Sequence, residues 1–259
     1  MRYLTLDQHR QVLERLVKLL KGAEGVRQHA AGFEYTSLMM CFLLHSKSAA
    51  ESILRLHGAF DDDWFPVTVG YIIVRSLFEV DVTAHYITQA PAERSRRYIN
   101  FGDVINKQML DAVDRNRKSP KASWSEGLGE AYEKYWLPRA PAINEAFAQV
   151  RPIFGKDRSW SGKTIQKMAA EVDHIDAYEI FYKDLSSFTH VNVKAVDRFL
   201  RLGPNGPLWS QRSSEFDVGS VFRYGAIFLS CLLEIFGEQF GCWSAEEVAG
   251  CWECAPRPR

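Results

Sequence analysis

The chain has 259 residues, of which 46% are hydrophobic and 25% are charged, and its formal net charge at pH 7 is zero. These values are ordinary for a soluble globular protein with a substantial core. The balanced charge excludes a global basic field that would attract nucleic acid or anionic membranes, but it leaves room for a local basic patch.

No targeting or membrane segment is predicted. The N-terminus, MRYLTLDQHRQ, is polar and has the pattern of a helix, not of a signal peptide. The best apolar run, AIFLSCLLEIF, is too short to cross a bilayer and contains Glu234. We therefore expect a cytoplasmic protein that does not contact membranes.

The first part of the chain predicts three helices. The first spans Thr5 to Lys21, where Thr5 and Gln8 have the spacing of a capping box. The second spans Tyr35 to His57 and has an apolar residue on the same face at every turn. The third spans Val67 to Thr88, and the preceding proline suits its first turn.

The third helix is mostly apolar, yet it contains an arginine and a glutamate. Arg75 and Glu79 are four residues apart, which places them one above the other on the same face. A buried charge without a partner is very costly. We therefore expect the two side chains to pair with each other and with polar groups on another helix.

A fourth helix is predicted from about Ala92 to Arg117. Its first turns carry Arg94, Arg96 and Arg97. Such a cluster is usually a solvated helix face, but it is also the most credible phosphate-contacting patch in the chain.

The middle of the chain is more irregular. Residues 119–129 are rich in Ser and Gly and predict a linker, and residues 130–150 predict a helix that two prolines break into two pieces. Residues 151–163 predict a loop, and residues 164–171 a short helix.

The next predicted helix, Asp176 to about Arg201, carries a polar stripe. Tyr182, Ser186 and His190 recur at every fourth residue. Because a helix turns by about 100° per residue, these three side chains share one face. We expect this stripe to face Arg75 and Glu79 and to form one buried polar site with them.

The last predicted helix, Val218 to Gln239, is strongly apolar, and no stretch of the chain alternates convincingly as a strand does. The sequence thus predicts an all-α fold, a single bundle of about six to eight helices without a sheet. We expect one domain over residues 1–259, with a core bundle at about 33–240 and a tail at 241–259 that contains Cys, Trp and Pro.

Three cysteines crowd this tail. Cys251 and Cys254 form a CxxC pair, and Cys242 precedes it by nine residues. A structural zinc site usually has four ligands, and the tail contains no histidine. Reduced thiols are therefore favoured, although zinc binding by these cysteines stays open, and we predict neither a metal site nor a cofactor.

Three motifs in the chain resemble those of a bacterial all-helical family catalogued as domain of unknown function 5677. They are R-S-L-F-E from Arg75, W-S-G-K-T-I-Q-K-M-A from Trp160 and Y-E-I-F-Y-K-D-L-S-S-F-T-H from Tyr178, and the resemblance covers roughly residues 38–202. The family is similar in architecture to HEPN helical bundles, many of which are metal-independent ribonucleases of toxin and phage-defence systems. Their hallmark, an Arg followed four to six residues later by a His, is missing, because Arg75 and His85 are ten residues apart. HEPN-like bundles often pair through helices, so the resemblance also makes a homodimer a hypothesis for this chain.

The five polar residues have the chemistry for RNA cleavage without a metal, the 2′-hydroxyl being the nucleophile. His190 is the natural acid or base, because its ordinary pKa lies near neutrality. Arg75 would hold a phosphate by two hydrogen bonds, and Glu79 would orient Arg75 or His190. Tyr182 and Ser186 would donate hydroxyl hydrogens to a developing charge. If the protein is an enzyme, it is thus a metal-independent endoribonuclease.

Three non-enzymatic interpretations remain. The five residues can form a satisfied network that only fixes the register of the helices, or they can bind a ligand without catalysis. A third class, a protein-interaction module, would use the basic turn at Arg94 to Arg97 instead.

Overall fold

The fold was derived from a computed structural model, which describes residues 4–20, 26, 29–60, 64–118, 125–155, 157, 159–189, 200–203, 206–209 and 214–253. The contacts divide the chain into two compact units, one formed by residues 1–89 and 165–259 and the other by residues 90–164. Among the described residues, six helices of 14 to 27 residues carry most of the structure. The all-α class is confirmed, whereas the single domain stays a prediction.

The three N-terminal helices form as the sequence predicts. They are α1 (Leu6–Leu19), α2 (Phe33–Ala59) and α3 (Val67–Thr88). The capping box is present, since the Thr5 hydroxyl accepts the Gln8 N–H at 3.3 Å and the Gln8 side chain accepts the Thr5 N–H at 2.8 Å. These bonds satisfy two backbone donors that the first turn of a helix leaves without partners.

The second unit consists of α4 (Pro91–Arg117), α5 (Ser125–Ala131) and α6 (Ala140–Phe154). The predicted break within residues 130–150 is confirmed, because a π turn over residues 132–136 and a 3₁₀ turn over residues 137–139 separate α5 from α6. The core of the unit packs α4 against α6 through Phe101, Val104, Val150 and Phe154.

Two predicted boundaries in this unit are wrong. Helix α5 begins at Ser125, inside the predicted linker, and α6 continues through Pro152 to Phe154, inside the predicted loop. Pro152 has no N–H to donate to the carbonyl four residues earlier and so costs one hydrogen bond of the helix, but the helix continues for only two more residues. The Phe154 ring is only 4% exposed, and its burial keeps that turn helical.

The segment that carries the polar stripe is divided into short pieces. These are α7 (Ile165–Glu171), α8 (Ile175–Ala177), a π turn over residues 178–182, and α9 (Lys183–Thr189). The predicted helix over residues 176–201 is therefore seen only as far as residue 189, and residues 190–199 lie outside the described part of the chain.

One short hairpin follows. Strands β1 (Leu200–Gly203) and β2 (Gly206–Trp209) pair antiparallel, with Leu200 opposite Trp209. These two four-residue strands are an exception to the expectation of no strand, and the runs are too short for an alternating pattern to show in the sequence.

Helix α10 (Glu215–Phe240) is the centre of the first unit and packs against α1, α2 and α3. The contact with α3 is close, since a Cβ on Gly70 would lie 2.9 Å from both methyl groups of Val221. Glycine at this position therefore allows the two helices to approach each other. Fully buried residues on α10 fill the core, among them Val218, Phe222, Ala226, Leu229, Leu233 and Phe236.

The end of α10 turns sharply. Gly241 has a φ of 65° and donates its N–H to the carbonyl of Gly237 at 2.8 Å, as in a left-handed helix cap. A last helix, α11 (Ala245–Gly250), then begins with a capping box formed by Ser244 and Glu247.

Among the described residues, α10 has the length and apolar composition to cross a membrane, and 67% of its apolar window is buried inside the fold. The core helix of a soluble protein has the same properties, so the cytoplasmic location stays a prediction.

Candidate functional site

Helix α3 packs against α9, and Tyr182, at the end of the π turn that leads into α9, meets two predicted site residues of α3. Arg75 donates from Nε to Glu79 Oε1 and from Nη2 to the Tyr182 hydroxyl, both at 3.0 Å. The Tyr182 hydroxyl donates in turn to Glu79 Oε1 at 2.8 Å. Arg75 and Glu79 thus pair with each other and with a second segment, as the sequence predicts.

Aromatic contacts hold Tyr182 in this position. The Arg75 guanidinium carbon lies 5.0 Å from the centre of the Tyr182 ring, and the Phe78 ring packs at 5.2 Å. Tyr178 stacks on Tyr182 with ring centres 5.0 Å apart. The phenol is therefore fixed by packing as well as by hydrogen bonds.

A π turn precedes α9 directly. Its wide hydrogen bond joins the Lys183 N–H to the carbonyl of Tyr178, and Tyr182 is the last residue within it. Single π turns inside helical segments are frequent at functional sites. Here the turn sets the position of the phenol relative to α9.

The site is polar but only partly shielded from solvent. The Arg75 side chain is 19% exposed and that of Glu79 is 43% exposed. Burial would lower the pKa of Arg75, but the hydrogen bond that Arg75 donates to the Tyr182 hydroxyl and the charge of Glu79 outweigh it and raise that pKa. Burial, together with Glu79, raises the pKa of Tyr182. The arginine is therefore charged and the phenol neutral at physiological pH.

Two polar atoms of the predicted site residues are left without partners. Arg75 Nη1 and Ser186 Oγ are buried and make no hydrogen bond with any described residue. Ser186 follows Tyr182 by four residues and so shares its helix face. The neighbouring Ser187 Oγ is also buried and has no partner among the described residues. Because successive helical residues are rotated by about 100° around the axis, Ser187 lies on a different face from Ser186.

His190 lies outside the described residues. The structure therefore brings Arg75, Glu79 and Tyr182 into contact. Ser186 shares the helix face of Tyr182, and the position of His190 is inferred from the sequence pattern alone. The catalytic roles of all five residues stay predictions.

A second polar cluster, which the sequence analysis missed, lies elsewhere on α3. Asp81 is fully buried, with its Oδ1 3.1 Å from His85 Nδ1 and its Oδ2 3.2 Å from His174 Nε2. The Cys231 thiol of α10 joins the group, since one donor atom each of Asp81, His174 and Cys231 lie within 4.8 Å of one another. The D-x-x-x-H spacing of Asp81 and His85 is the signal that could have found it.

Backbone geometry places His174 in this cluster. Asp173, just after α7, has a left-handed φ of 58°, and the His174 N–H bonds the carbonyl of Ala169 at 2.8 Å. This is the hydrogen bond of a Schellman cap. The other ring nitrogen, Nδ1, lies 2.6 Å from the carbonyl of Val172 and is thereby assigned the hydrogen.

The pKa values in the second cluster reflect both burial and the charges of the neighbouring groups. Burial would raise the pKa of Asp81, but the two adjacent imidazoles outweigh it and lower that pKa. The Asp81 carboxylate in turn raises the pKa of His174. Burial, followed by the charge of Asp81, raises the pKa of the Cys231 thiol to about 12.

The predicted phosphate contacts lie on the first turns of α4. Arg97 is held by Asp157 Oδ2 and the Trp160 carbonyl at 2.6 Å, and by the Ile153 carbonyl at 3.3 Å. These bonds tie α4 to the end of α6 and favour a structural role for Arg97. Arg96 is exposed and lines a cavity of about 420 Å³ together with Arg97. Phosphate binding by Arg94, Arg96 and Arg97 stays a prediction.

The cysteines of the tail are partly described. Cys242 is half-buried and Cys251 is buried, and both are free thiols, whereas Cys254 lies outside the described residues. Burial raises the pKa of both described thiols.

The comparisons with known proteins agree with the motifs. No curated protein matches the chain, and no solved structure does. A family model described as "Family of unknown function (DUF5677)" matches residues 36–207, which is more than half of the chain and includes both α3 and α9. The chain therefore belongs to the DUF5677 family.

Proposed function

We propose that the site between α3 and α9 binds a phosphate-containing ligand and that this ligand is RNA, cleaved without a metal ion. One observation carries the proposal. Arg75 Nη1 and Ser186 Oγ are buried donors without a partner among the described residues, whereas the rest of the guanidinium is fixed by hydrogen bonds.

The unpaired donors favour an anionic ligand. A buried donor that lacks a partner costs about 1–3 kcal/mol, so a ligand that supplies an acceptor recovers this energy. Phosphate oxygens are strong acceptors, and a guanidinium that is already oriented binds them with little loss of entropy. Access would run past Glu79, whose side chain is 43% exposed.

Cleavage requires an acid–base group beside this anion site. His190 follows Ser186 by four residues, and its ordinary pKa suits proton transfer near neutral pH. Attack by the 2′-hydroxyl on the adjacent phosphorus would expel the 5′-oxygen of the next nucleotide. The products would be a 2′,3′-cyclic phosphate and a 5′-hydroxyl, and no metal would take part.

The test is incubation of the purified chain with end-labelled single-stranded RNA in the presence of EDTA. The proposal predicts cleavage with these two end groups, and its loss in His190→Ala without loss of RNA binding. Cleavage that requires a divalent ion, or that leaves 3′-hydroxyl and 5′-phosphate ends, would contradict the mechanism. A protein that neither binds nor cleaves RNA would contradict the whole proposal.

A second candidate function is supported by the closed ring of hydrogen bonds. Arg75 Nε and Nη2, Glu79 and Tyr182 bond one another without a ligand, as in a structural network, and Nη1 is the part of the guanidinium left without a partner among the described residues. In that case substitutions in the ring would lower the free energy of unfolding, while binding at the basic turn of α4 would remain. A protein-interaction module would behave in this way.

A further inference from the structure

We propose that Asp81, His174 and Cys231 bind a divalent transition-metal ion, with zinc as the ion whose chemistry fits best. The three residues come from three segments, which are α3, the link after α7, and α10. They supply one oxygen, one nitrogen and one sulfur donor. A mixed O/N/S set suits zinc and similar borderline ions, whereas magnesium and calcium prefer oxygen donors alone.

The Asp81 carboxylate is the strongest indication. It is fully buried, and neither oxygen makes a hydrogen bond of good geometry in the described part of the chain. Imidazole nitrogens nevertheless lie 3.1 and 3.2 Å away. Two ligands of one tetrahedral zinc ion are separated by about 3.3 Å, given bond lengths of about 2.0–2.2 Å. The Asp81–His174 separation therefore matches a shared ion.

The partners of the two histidines fit the same assignment. His174 turns Nε2 towards Asp81 while Nδ1 lies 2.6 Å from the Val172 carbonyl. Histidines that bind metals usually donate their second ring N–H to a carbonyl or carboxylate in this way. His85 Nδ1 lies 3.1 Å from both Oδ1 and the backbone carbonyl of Asp81, so it is a positioning residue for that carboxylate.

The Cys231 sulfur reaches the distance of a third ligand after a small movement of its side chain. The three donor atoms lie within 4.8 Å of one another, whereas zinc requires sulfur about 3.6 Å from the other ligands. A shift of about 1 Å, within the range of a side-chain rotation, brings Cys231 into place. The His174 and His85 side chains are 19% and 26% exposed, so solvent reaches the site from the histidine side. A fourth ligand, such as water, can enter there.

The experiment is a Co²⁺ titration of the full-length protein after treatment with a chelator. We expect one bound equivalent and a near-ultraviolet band from charge transfer between thiolate and cobalt. Cys231→Ser should abolish the band, and His174→Ala should weaken binding by a factor of about 10 or more. His85→Gln should weaken binding by about 10–100-fold, as loss of a supporting residue does.

Other cysteines provide the controls. Cys41→Ser, at an exposed position on α2, should leave the band unchanged. The triple substitution of Cys242, Cys251 and Cys254 by Ser should also leave it unchanged. Because Cys231 is partly buried and its substitution can disturb folding, wild-type protein is also alkylated with and without Zn²⁺. Zinc should slow the labelling of Cys231 and not that of Cys41.

Three results would overturn the metal site. They are no Co²⁺ binding by the wild type, a charge-transfer band that survives Cys231→Ser, and labelling of Cys231 that zinc does not change. The site shares no residue with the proposed RNA site, and RNA cleavage is tested in EDTA, so the two proposals can fail independently.

Discussion

The Tyr182 hydroxyl and the Glu79 carboxylate are 103 residues apart in the sequence and 2.8 Å apart in the fold. Arg75 donates to the same hydroxyl, so the phenol joins the guanidinium to the carboxylate. This contact links α3 to the segment that leads into α9. It is the part of the site whose energetics can be tested without knowing a ligand.

Tyr182→Phe should lower the free energy of unfolding by about 1–2 kcal/mol, because it removes two hydrogen bonds while the ring packing remains. Urea denaturation measures the change. Tyr178→Phe is the matched control, since Tyr178 stacks on the same ring but makes no described hydrogen bond through its hydroxyl. Its effect should stay within about 0.5 kcal/mol. Equal effects of the two substitutions would show that the hydroxyl contributes nothing.

Arg75→Gln should destabilise the fold by about 1–3 kcal/mol. Breaking a fully buried ion pair costs about 3–5 kcal/mol, but Glu79 is 43% exposed and solvent screens its charge. Adding Glu79→Gln to this variant should recover part of the loss, because no carboxylate is then left without its partner. A double-mutant cycle measures the coupling. Strictly additive effects would mean that the two side chains do not interact.

Stability should fall at alkaline pH through Tyr182. Burial, together with Glu79, raises the pKa of Tyr182 in the folded state above its ordinary value of about 10. The folded protein then holds this proton more tightly than the unfolded chain. The contribution is fully present below pH 10 and is lost as pH rises through the folded pKa.

The check is the free energy of unfolding, measured from neutral pH to above pH 10, for wild type and Tyr182→Phe. The variant should show a shallower alkaline decline. Part of the decline will remain, because burial also raises the pKa of Tyr35. An identical slope in both proteins would contradict the assignment.

The corner after α10 offers a test of the fold itself. A Cβ on Gly237 would lie 2.5 Å from the backbone oxygen of Trp243, so Gly237→Ala should destabilise by about 1–3 kcal/mol. Gly219, on the same helix, has nothing within 4 Å of a built Cβ. Gly219→Ala should therefore stabilise by up to about 1 kcal/mol. Thermal unfolding should give opposite shifts in Tm, and a lower Tm for both would contradict the described packing.

Periodicity and the cost of buried charge predicted a large part of this fold. The long helices follow from apolar residues at helical spacing. The contact of Arg75 and Glu79 with Tyr182 follows because a charged pair in so apolar a helix requires a polar partner. Both features follow from local patterns that a single sequence contains, and the second of them predicts a long-range contact.

Other features depend on geometry that no periodic pattern reveals. His174 reaches Asp81 only because Asp173 adopts a left-handed conformation after α7. The extension of α6 past Pro152 depends on the burial of Phe154 by α4, which is known only once the two helices are paired. The second polar cluster could therefore be identified only from the folded structure.

The most direct test of the RNA site is the affinity for a single-stranded RNA in which 2′-deoxy substitution prevents cleavage, measured by fluorescence anisotropy in EDTA. Ser186→Ala should weaken binding by about tenfold or more, because one hydrogen bond to a charged phosphate is worth about 1.5–3 kcal/mol. Ser187→Ala, which removes the neighbouring buried hydroxyl, should leave the affinity unchanged. Equal affinities of wild type and both variants, or no binding by the wild type, would contradict the account.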